Sequence, residues 1–304
     1  MTAVNKIRST PNFEITNMAS DPAQADKSLN SKKSVATGAA IPAFIINLNR
    51  DASRWQNISR ALSRFSVPYE RVSAIDARKR ITLVRRVVHR DFQFAPANRA
   101  LTDGEVCCYL SHIAALKRVV RQNLQMAMIF EDDVIFDGRF LPFYESDLPR
   151  FLAASDIVKF EGIHYSHTSK SGIPIADGKT AQLVLRLRPT LGAAAYAVTR
   201  NGALALIKAL SVTDRPFDHK LAYYDRHWAN YAETQPFLAS QASYTSNLEP
   251  ERELHDVENR TQQGLGRFQH KLAAAARGAV RISYIAKFLI KRQLFGTKSP
   301  ASIA

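Results

Sequence analysis

Cysteine is nearly absent: the 304 residues hold two, the adjacent Cys107 and Cys108. Neighbouring helix positions point about 100° apart, so the pair is a poor disulfide. No C-x-x-C spacing marks a structural metal site. Both thiols are therefore expected to be small buried apolar residues, in a protein that needs no oxidising compartment. Long apolar runs are missing too. No stretch approaches the roughly 20 residues of a membrane span, and the most apolar tail segment, Ile282 to Ile290, is broken by Lys287. Residues 1–40 lack the apolar segment of a secretory signal and any sustained period, so they read as a disordered leader of a cytoplasmic chain.

Carboxylates are absent from residues 259–304, which carry nine Lys and Arg. Residues 41–258 hold 28 basic and 24 acidic residues, so most of the net charge of +15 lies in the tail. A nucleic-acid-binding domain more often carries its charge on the folded body, so no nucleic acid is expected as a partner. In the tail, Arg267, Lys271, Arg277, Arg281, Lys287, Lys291 and Arg292 alternate with Val280, Ile282, Tyr284, Ile285, Leu289 and Ile290. That mixture suits an anionic membrane surface, and a helix docked on the protein body is the alternative.

What remains, residues 41–258, has the makings of a globular domain of enzyme size: the chain is 46% hydrophobic and 23% charged. Ala43-Phe44-Ile45-Ile46 reads as a buried strand. Asn49, Asp51 and Ser53 offer caps for a helix with Trp55, Ile58, Leu62 and Phe65 on one face, stopped by Pro68. Tyr69 to Ala74 is a second strand, ending at Asp76. This β-α-β unit argues for a parallel sheet covered by helices. Residues 78–90 form a basic patch, Arg78 to Arg90, that reads as a solvated face or a phosphate contact. Thr102-Asp103-Gly104-Glu105 is a capping box opening a helix through Val106, Leu110, Ile113 and Val120. Met126 to Phe130, Asp156 to Glu161 and Ala194 to Val198 read as strands. Thr199 caps a helix through Leu210.

Three carboxylates, Glu131-Asp132-Asp133, follow the Met126–Phe130 strand. Ligands of open α/β sheets bind beyond the carboxyl ends of strands. Side chains at the first and third positions can converge on one divalent cation, and oxygen ligands suit Mn²⁺ or Mg²⁺. The first strand ends at Asn47 on the same edge, with Arg50 and Arg54 placed to meet a diphosphate. Ser111 and His112 lie inside the capped helix, where a packed histidine is expected more often than a catalyst. Asp218 follows Pro216-Phe217 in a turn, where it can serve as a helix cap or a general base.

These blocks together resemble glycosyltransferase family 25, the lipooligosaccharide glycosyltransferases. Ile45-Ile46-Asn47-Leu48-x-Arg50-x-x-x-Arg54 resembles the family's opening. Gly104-Glu105-Val106-Cys107-Cys108-Tyr109-Leu110-Ser111-His112 is similar to its G-E-x-G-C-x-x-S-H, with Cys107 in place of glycine. Glu131-Asp132-Asp133-Val134 is similar to its E-D-D-V. Asp156 to Glu161, Ala195 to Ala203 and Pro216-Phe217-Asp218 are similar to later blocks. Ala77 and Asp51 depart from the pattern. The resemblance covers roughly residues 44–240.

It implies a GT-A-like, Rossmann-like α/β fold, an inverting mechanism, and UDP-galactose as a common donor. On that reading Glu131 and Asp133 hold the cation, with Asp132 able to replace either, and Asn47, Arg50, Arg54 and Asp76 bind the nucleotide. Asp218 takes the acceptor proton, with Glu161 as second choice. The expected partners are a UDP-sugar, a glycolipid or oligosaccharide acceptor and, through the tail, the inner face of the bacterial inner membrane. The rivals are a glycoside hydrolase, a basic nucleic-acid-binding protein and an inactive scaffold.

Overall fold

The computed structural model describes residues 40–79, 101–162, 172–187, 189–210, 215–222, 229–242 and 282–287, with 227, 280, 289 and 290 individually. The expected leader up to residue 39, the basic patch from Arg80 onward and residues 243–279 lie outside these.

Eight strands form one sheet, in the order β2-β1-β3-β8-β5-β9-β7-β6. These are β1 (Ala43–Asn47), β2 (Tyr69–Ser73), β3 (Met126–Glu131), β5 (Ile157–Lys159), β6 (Ile173–Asp177), β7 (Gln182–Leu185), β8 (Ala195–Thr199) and β9 (Tyr231–Gln235). Pairing fixes their directions: β2, β3, β5, β9 and β6 run with β1, and only β7 and β8 run against it. The sheet is thus mostly parallel, as expected. The sequence did not announce that β8 is reversed. Inserted between β3 and β5, it brings its amino end to the edge where their carboxyl ends lie. A small antiparallel pair, β4 (Val134–Phe136) with β10 (Ala239–Gln241), follows the acidic triplet.

Side chains alternate across β1, so Ala43 and Ile45 enter one core while Phe44 and Ile46 enter the other. The first core takes Ile58 and Leu62 of α1 (Ala52–Arg64). It also takes the phenylalanines of α3, a helix running through Phe140–Pro142, a π turn Phe143–Asp147, and Leu148–Ala154. The second takes α2 (Asp103–Arg121), α4 (Arg200–Ala209) and α5 (Phe217–Ala222). Helices therefore cover both faces, which is why the inner strands are apolar on both sides.

The helix ends show which local signals acted. Thr102 and Glu105 complete the capping box in both directions. Thr199 Oγ1 accepts from Gly202 N at 3.0 Å. Asp51 is the N-cap of α1, but its side chain makes no capping bond. Helix α1 also ends earlier than its expected stop: Ser66, at φ 54°, turns the chain two residues before Pro68.

Residues 282–287 are helical and lie against the body. Ile285 is 6% exposed within the first core, and Tyr284 Oη donates to Ala229 O at 2.9 Å. Val280, Ile282 and Ile290 remain exposed. The docked alternative therefore describes this segment, because Tyr284 and Ile285 find partners on the body. Ile285→Ala is expected to cost roughly 2 kcal/mol or more. Denaturant midpoints would show this, and an unchanged midpoint would mean that the helix is not part of the folded unit.

Candidate active site

The carboxyl edge of the sheet collects the expected residues. Asn47 ends β1 and is 1% exposed. Its Nδ2 donates to Asp132 Oδ2 at 2.6 Å and to Asp51 O at 3.1 Å, while its Oδ1 accepts from Arg71. Arg54 Nη1 lies 3.5 Å from Asp132 Oδ1. Burial raises the Asp132 carboxyl, and the Asn47 and Arg54 contacts oppose that rise. Arg50 instead pairs with Asp76 at 2.5 Å, and this hydrogen bond holds Asp76 below its ordinary value. Asn47 and Arg54 thus tie β1 to the acidic triplet, and Arg50 ties it to the end of the β2 loop.

Glu131 Oε1 lies 3.2 Å from Nε2 of His112, a fully buried residue of α2. The imidazole stacks on Phe217 at 4.0 Å, and its Nδ1 is 3.1 Å from Tyr196 Oη. Burial pushes His112 down to about 3, although the nearby charge of Asp218 opposes this. It is a neutral, packed histidine, as expected for that position. Ser111 is structural as well: its hydroxyl accepts from Ile75 N and donates to Cys107 O.

Two carboxylates behave differently. Asp133 Oδ1 and Glu161 Oε1 are shielded from solvent and have no hydrogen-bond partner among the described residues. Burial pushes Asp133 up to about 7, helped by the charges of Glu131 and Asp132. Burial also pushes Glu161 up to about 7, with Glu131 and Asp133 adding to the rise and Lys159 opposing it. The mutual effects place Glu161 in one electrostatic group with the triplet, although it lies 28 positions beyond Asp133 in sequence.

The segment between β7 and β8 completes the edge. Lys159 is fully buried, and its Nζ donates to the carbonyls of Thr190 and Leu191, both at 2.7 Å. Its burial lowers its pKa, against the pull of Glu233, Glu161 and Asp218. Arg186 Nε and Glu233 Oε2 are 2.9 Å apart in the interior, and Glu233 also accepts from Thr190 N at 2.8 Å and Tyr231 Oη at 2.9 Å. Such a fully partnered polar network rigidifies the segment it holds. The segment then presents two amides: Gly192 N donates to Asp218 Oδ2 at 3.3 Å, and Ala194 N to Glu161 Oε2 at 3.2 Å. Gly192 has φ 97°, a conformation side chains disfavour, so glycine suits this turn. The other Asp218 oxygen accepts from His219 N at 2.9 Å.

Residues 40–221 match the family described as "Glycosyltransferase family 25 (LPS biosynthesis protein)". That match spans more than half of the chain. The chain belongs to glycosyltransferase family 25. Among its relatives, a "Glycosyltransferase 25 family member" of Drosophila melanogaster is 27% identical over 198 residues, 60% of this chain and 31% of that protein. The human "Procollagen galactosyltransferase 2" is 30% identical over 101 residues, 32% of this chain and 16% of its own length. The human "Inactive glycosyltransferase 25 family member 3" is 32% identical over 101 residues, 32% of this chain and 17% of its own length. The chain thus spans a third or less of each of these relatives.

Within this family 25 site, one sequence expectation needs correcting. Cys107 is buried, but Cys108 is half-exposed and faces the edge beside His112 and Glu131. Consecutive helix positions point in different directions, so only one of the two thiols can face the core. Gly192 and the Arg186–Glu233 pair went unnoticed in the sequence, and Lys159 and Tyr196 stood there only as members of longer blocks. The available signal was a charge inside an apolar strand, as in Ile157-Val158-Lys159 and Tyr231-Ala232-Glu233.

Proposed function

We propose that this chain is an inverting, divalent-cation-dependent hexosyltransferase, moving galactose from UDP-galactose to a lipopolysaccharide, lipooligosaccharide or related surface glycan. The observation that carries the reading is the pair of buried oxygens on Asp133 and Glu161, without partners among the described residues and both under the charge of Glu131. Carboxylates pushed to about 7 by burial and by one another fit a site for Mn²⁺ or Mg²⁺. Glu131 and Asp133 would hold the cation, with the Glu161 carboxyl coupled to both through charge, which moves Glu161 from its expected second place as base. The cation, when bound, neutralises the diphosphate of the departing nucleotide. Arg50 and Arg54 flank the same edge, where they can exchange their present carboxylate partners for phosphate oxygens. Asp218 accepts two backbone N–H bonds, which orient its carboxyl group, and it is half-exposed. It takes the acceptor proton as the hydroxyl attacks the anomeric carbon.

The family description supports the lipopolysaccharide acceptor, whereas one relative's name points to procollagen. The deciding experiment supplies purified protein and Mn²⁺ with a panel of UDP- and GDP-hexoses, with glycolipid and procollagen acceptors in parallel. Acceptor-dependent release of UDP from one donor is expected. No release from any donor, or release of free sugar from glycans without nucleotide, would overturn the reading. The chain is further proposed to work at the inner face of a bacterial inner membrane. Only the charge of the tail supports that placement, because Tyr284 and Ile285 dock its helix on the body; among the described residues no helix is long and apolar enough to cross a membrane. Binding to anionic vesicles at low salt and release at high salt is the expected behaviour.

The raised carboxyls also set a pH dependence. A carboxyl whose folded pKa lies above its unfolded value adds stability that is present below the unfolded pKa and is lost as pH rises through the folded one. For Asp133 that window runs from about 4 to about 7. In cation-free protein, Asp133→Asn is therefore expected to melt above wild type at pH 8, and the gap should close by pH 4. Mn²⁺ should raise the wild-type melting temperature more at pH 8 than at pH 5, because it binds ionised carboxylates. A variant that melts below wild type at pH 8 would contradict the assignment.

A further inference from the structure

We propose that Cys108 Sγ, His112 Nε2 and Glu131 Oε1 form a second metal site, for a borderline-soft divalent cation of the zinc class. The three ligand atoms lie within 4.8 Å of one another. The Nε2–Oε1 separation of 3.2 Å matches the edge, roughly 3.3 Å, of a tetrahedron with bonds of about 2.0 Å to nitrogen and oxygen. Cys108 and His112 are four residues apart in α2, one turn on the same face. Glu131 approaches them from the end of β3.

The histidine is already oriented for this role. Phe217 stacks on the ring, and Nδ1 is 3.1 Å from Tyr196 Oη. With the proton on Nδ1 donated to that hydroxyl, Nε2 presents its lone pair toward Glu131 and Cys108. Outer-shell bonds of this kind fix the tautomer of metal-binding histidines. Cys108 is half-exposed, which provides an entry path. A thiolate, an imidazole and a carboxylate select zinc-class ions, whereas the all-oxygen pair proposed above, Glu131 and Asp133, would select Mn²⁺ or Mg²⁺. Three protein ligands leave a fourth position open to water.

Glu131 belongs to both groups. A zinc-class ion on Cys108 and His112 draws this carboxylate away from the oxygen site, so it should inhibit transfer and compete with Mn²⁺. The inhibition rests on the proposed transferase reading, but the binding does not.

The reduced, metal-free 304-residue chain is titrated with Co²⁺ as a spectroscopic probe. One equivalent should produce an intense thiolate-to-cobalt absorption band that Zn²⁺ then removes. Cys108→Ser should lose the band and weaken Zn²⁺ binding by more than about 100-fold, since a direct ligand matters at least as much as an outer-shell one. Asp133→Asn should keep the band, which separates this site from the oxygen site. In transfer assays, Zn²⁺ should inhibit the wild type, and Cys108→Ser should be resistant with unchanged activity in Mn²⁺ alone. A missing band, or an equal band in Cys108→Ser, overturns the site. If no transfer activity is found but the band behaves as described, the metal site stands and the transferase reading falls.

Discussion

Asp133→Ala is expected to lower transfer by at least ~10³-fold, because a lost cation removes several kcal/mol of charge stabilisation from the departing diphosphate. The fold should survive. Asp133 Oδ1 is buried with no hydrogen-bond partner among the described residues, so its removal orphans nothing at that atom, and the side-chain bond lost is the one with Gln241. The main-chain bond from Ala242 N to Asp133 O, 2.8 Å, does not depend on the side chain. Chelation of the wild type by EDTA should abolish activity to a similar extent, and Mn²⁺ or Mg²⁺ should restore it. Nucleotide release together with circular dichroism makes the measurement. Full activity in EDTA would rule out a catalytic cation whatever the variant does.

Asp218→Asn should reduce turnover by roughly 10²–10⁴-fold, the usual contribution of a general base. Asparagine retains the size of the side chain and one acceptor for the Gly192 and His219 amides, but it cannot take a proton. Donor affinity should change little, because Asp218 lies on α5, away from Arg50 and Arg54 on the β1 side. Glu161→Gln provides the contrast. As a member of the acidic group it should raise the Mn²⁺ concentration needed for half-maximal activity, and excess Mn²⁺ should rescue it in part. Should Asp218→Asn turn over near wild-type rates while Glu161→Gln is dead at saturating Mn²⁺, the two roles must be exchanged.

The acidic triplet illustrates how far periodicity reaches. Met126 to Phe130 is a continuous apolar run, so a buried strand with carboxylates at its end could be placed without coordinates. The same holds for Asn47 after β1 and for the Thr102–Glu105 box, whose partners are three residues apart. Glu161 was visible as a carboxylate near a strand end, but not as electrostatically coupled to Asp133. That coupling depends on the strand order β3-β8-β5. Hydropathy does not encode strand order, because buried strands are apolar on both faces wherever they lie.

The cysteines make the same point at shorter range. A helical Cys-Cys pair was legible, and so was the poor geometry for a disulfide. Which thiol faces the ligand edge was not, because that depends on how α2 is rotated against β3. The tail shows the limit for amphipathic segments: its alternation suits a membrane or a protein surface equally, and only the contacts of Tyr284 and Ile285 place it on the body.

By itself, then, the sequence determined the local elements, the two-sided burial of the sheet, and the identities of most carboxylates and arginines along its edge. These depend on side-chain period and on partners within a few residues. Tertiary structure decided which of those residues meet: Asn47 with Asp132, Glu131 with His112 and Cys108, Glu161 with Ala194, and Gly192 with Asp218. Each of these meetings joins separate elements. Their geometry is set by strand order and helix rotation, which arise from packing the whole chain rather than from any short segment of it.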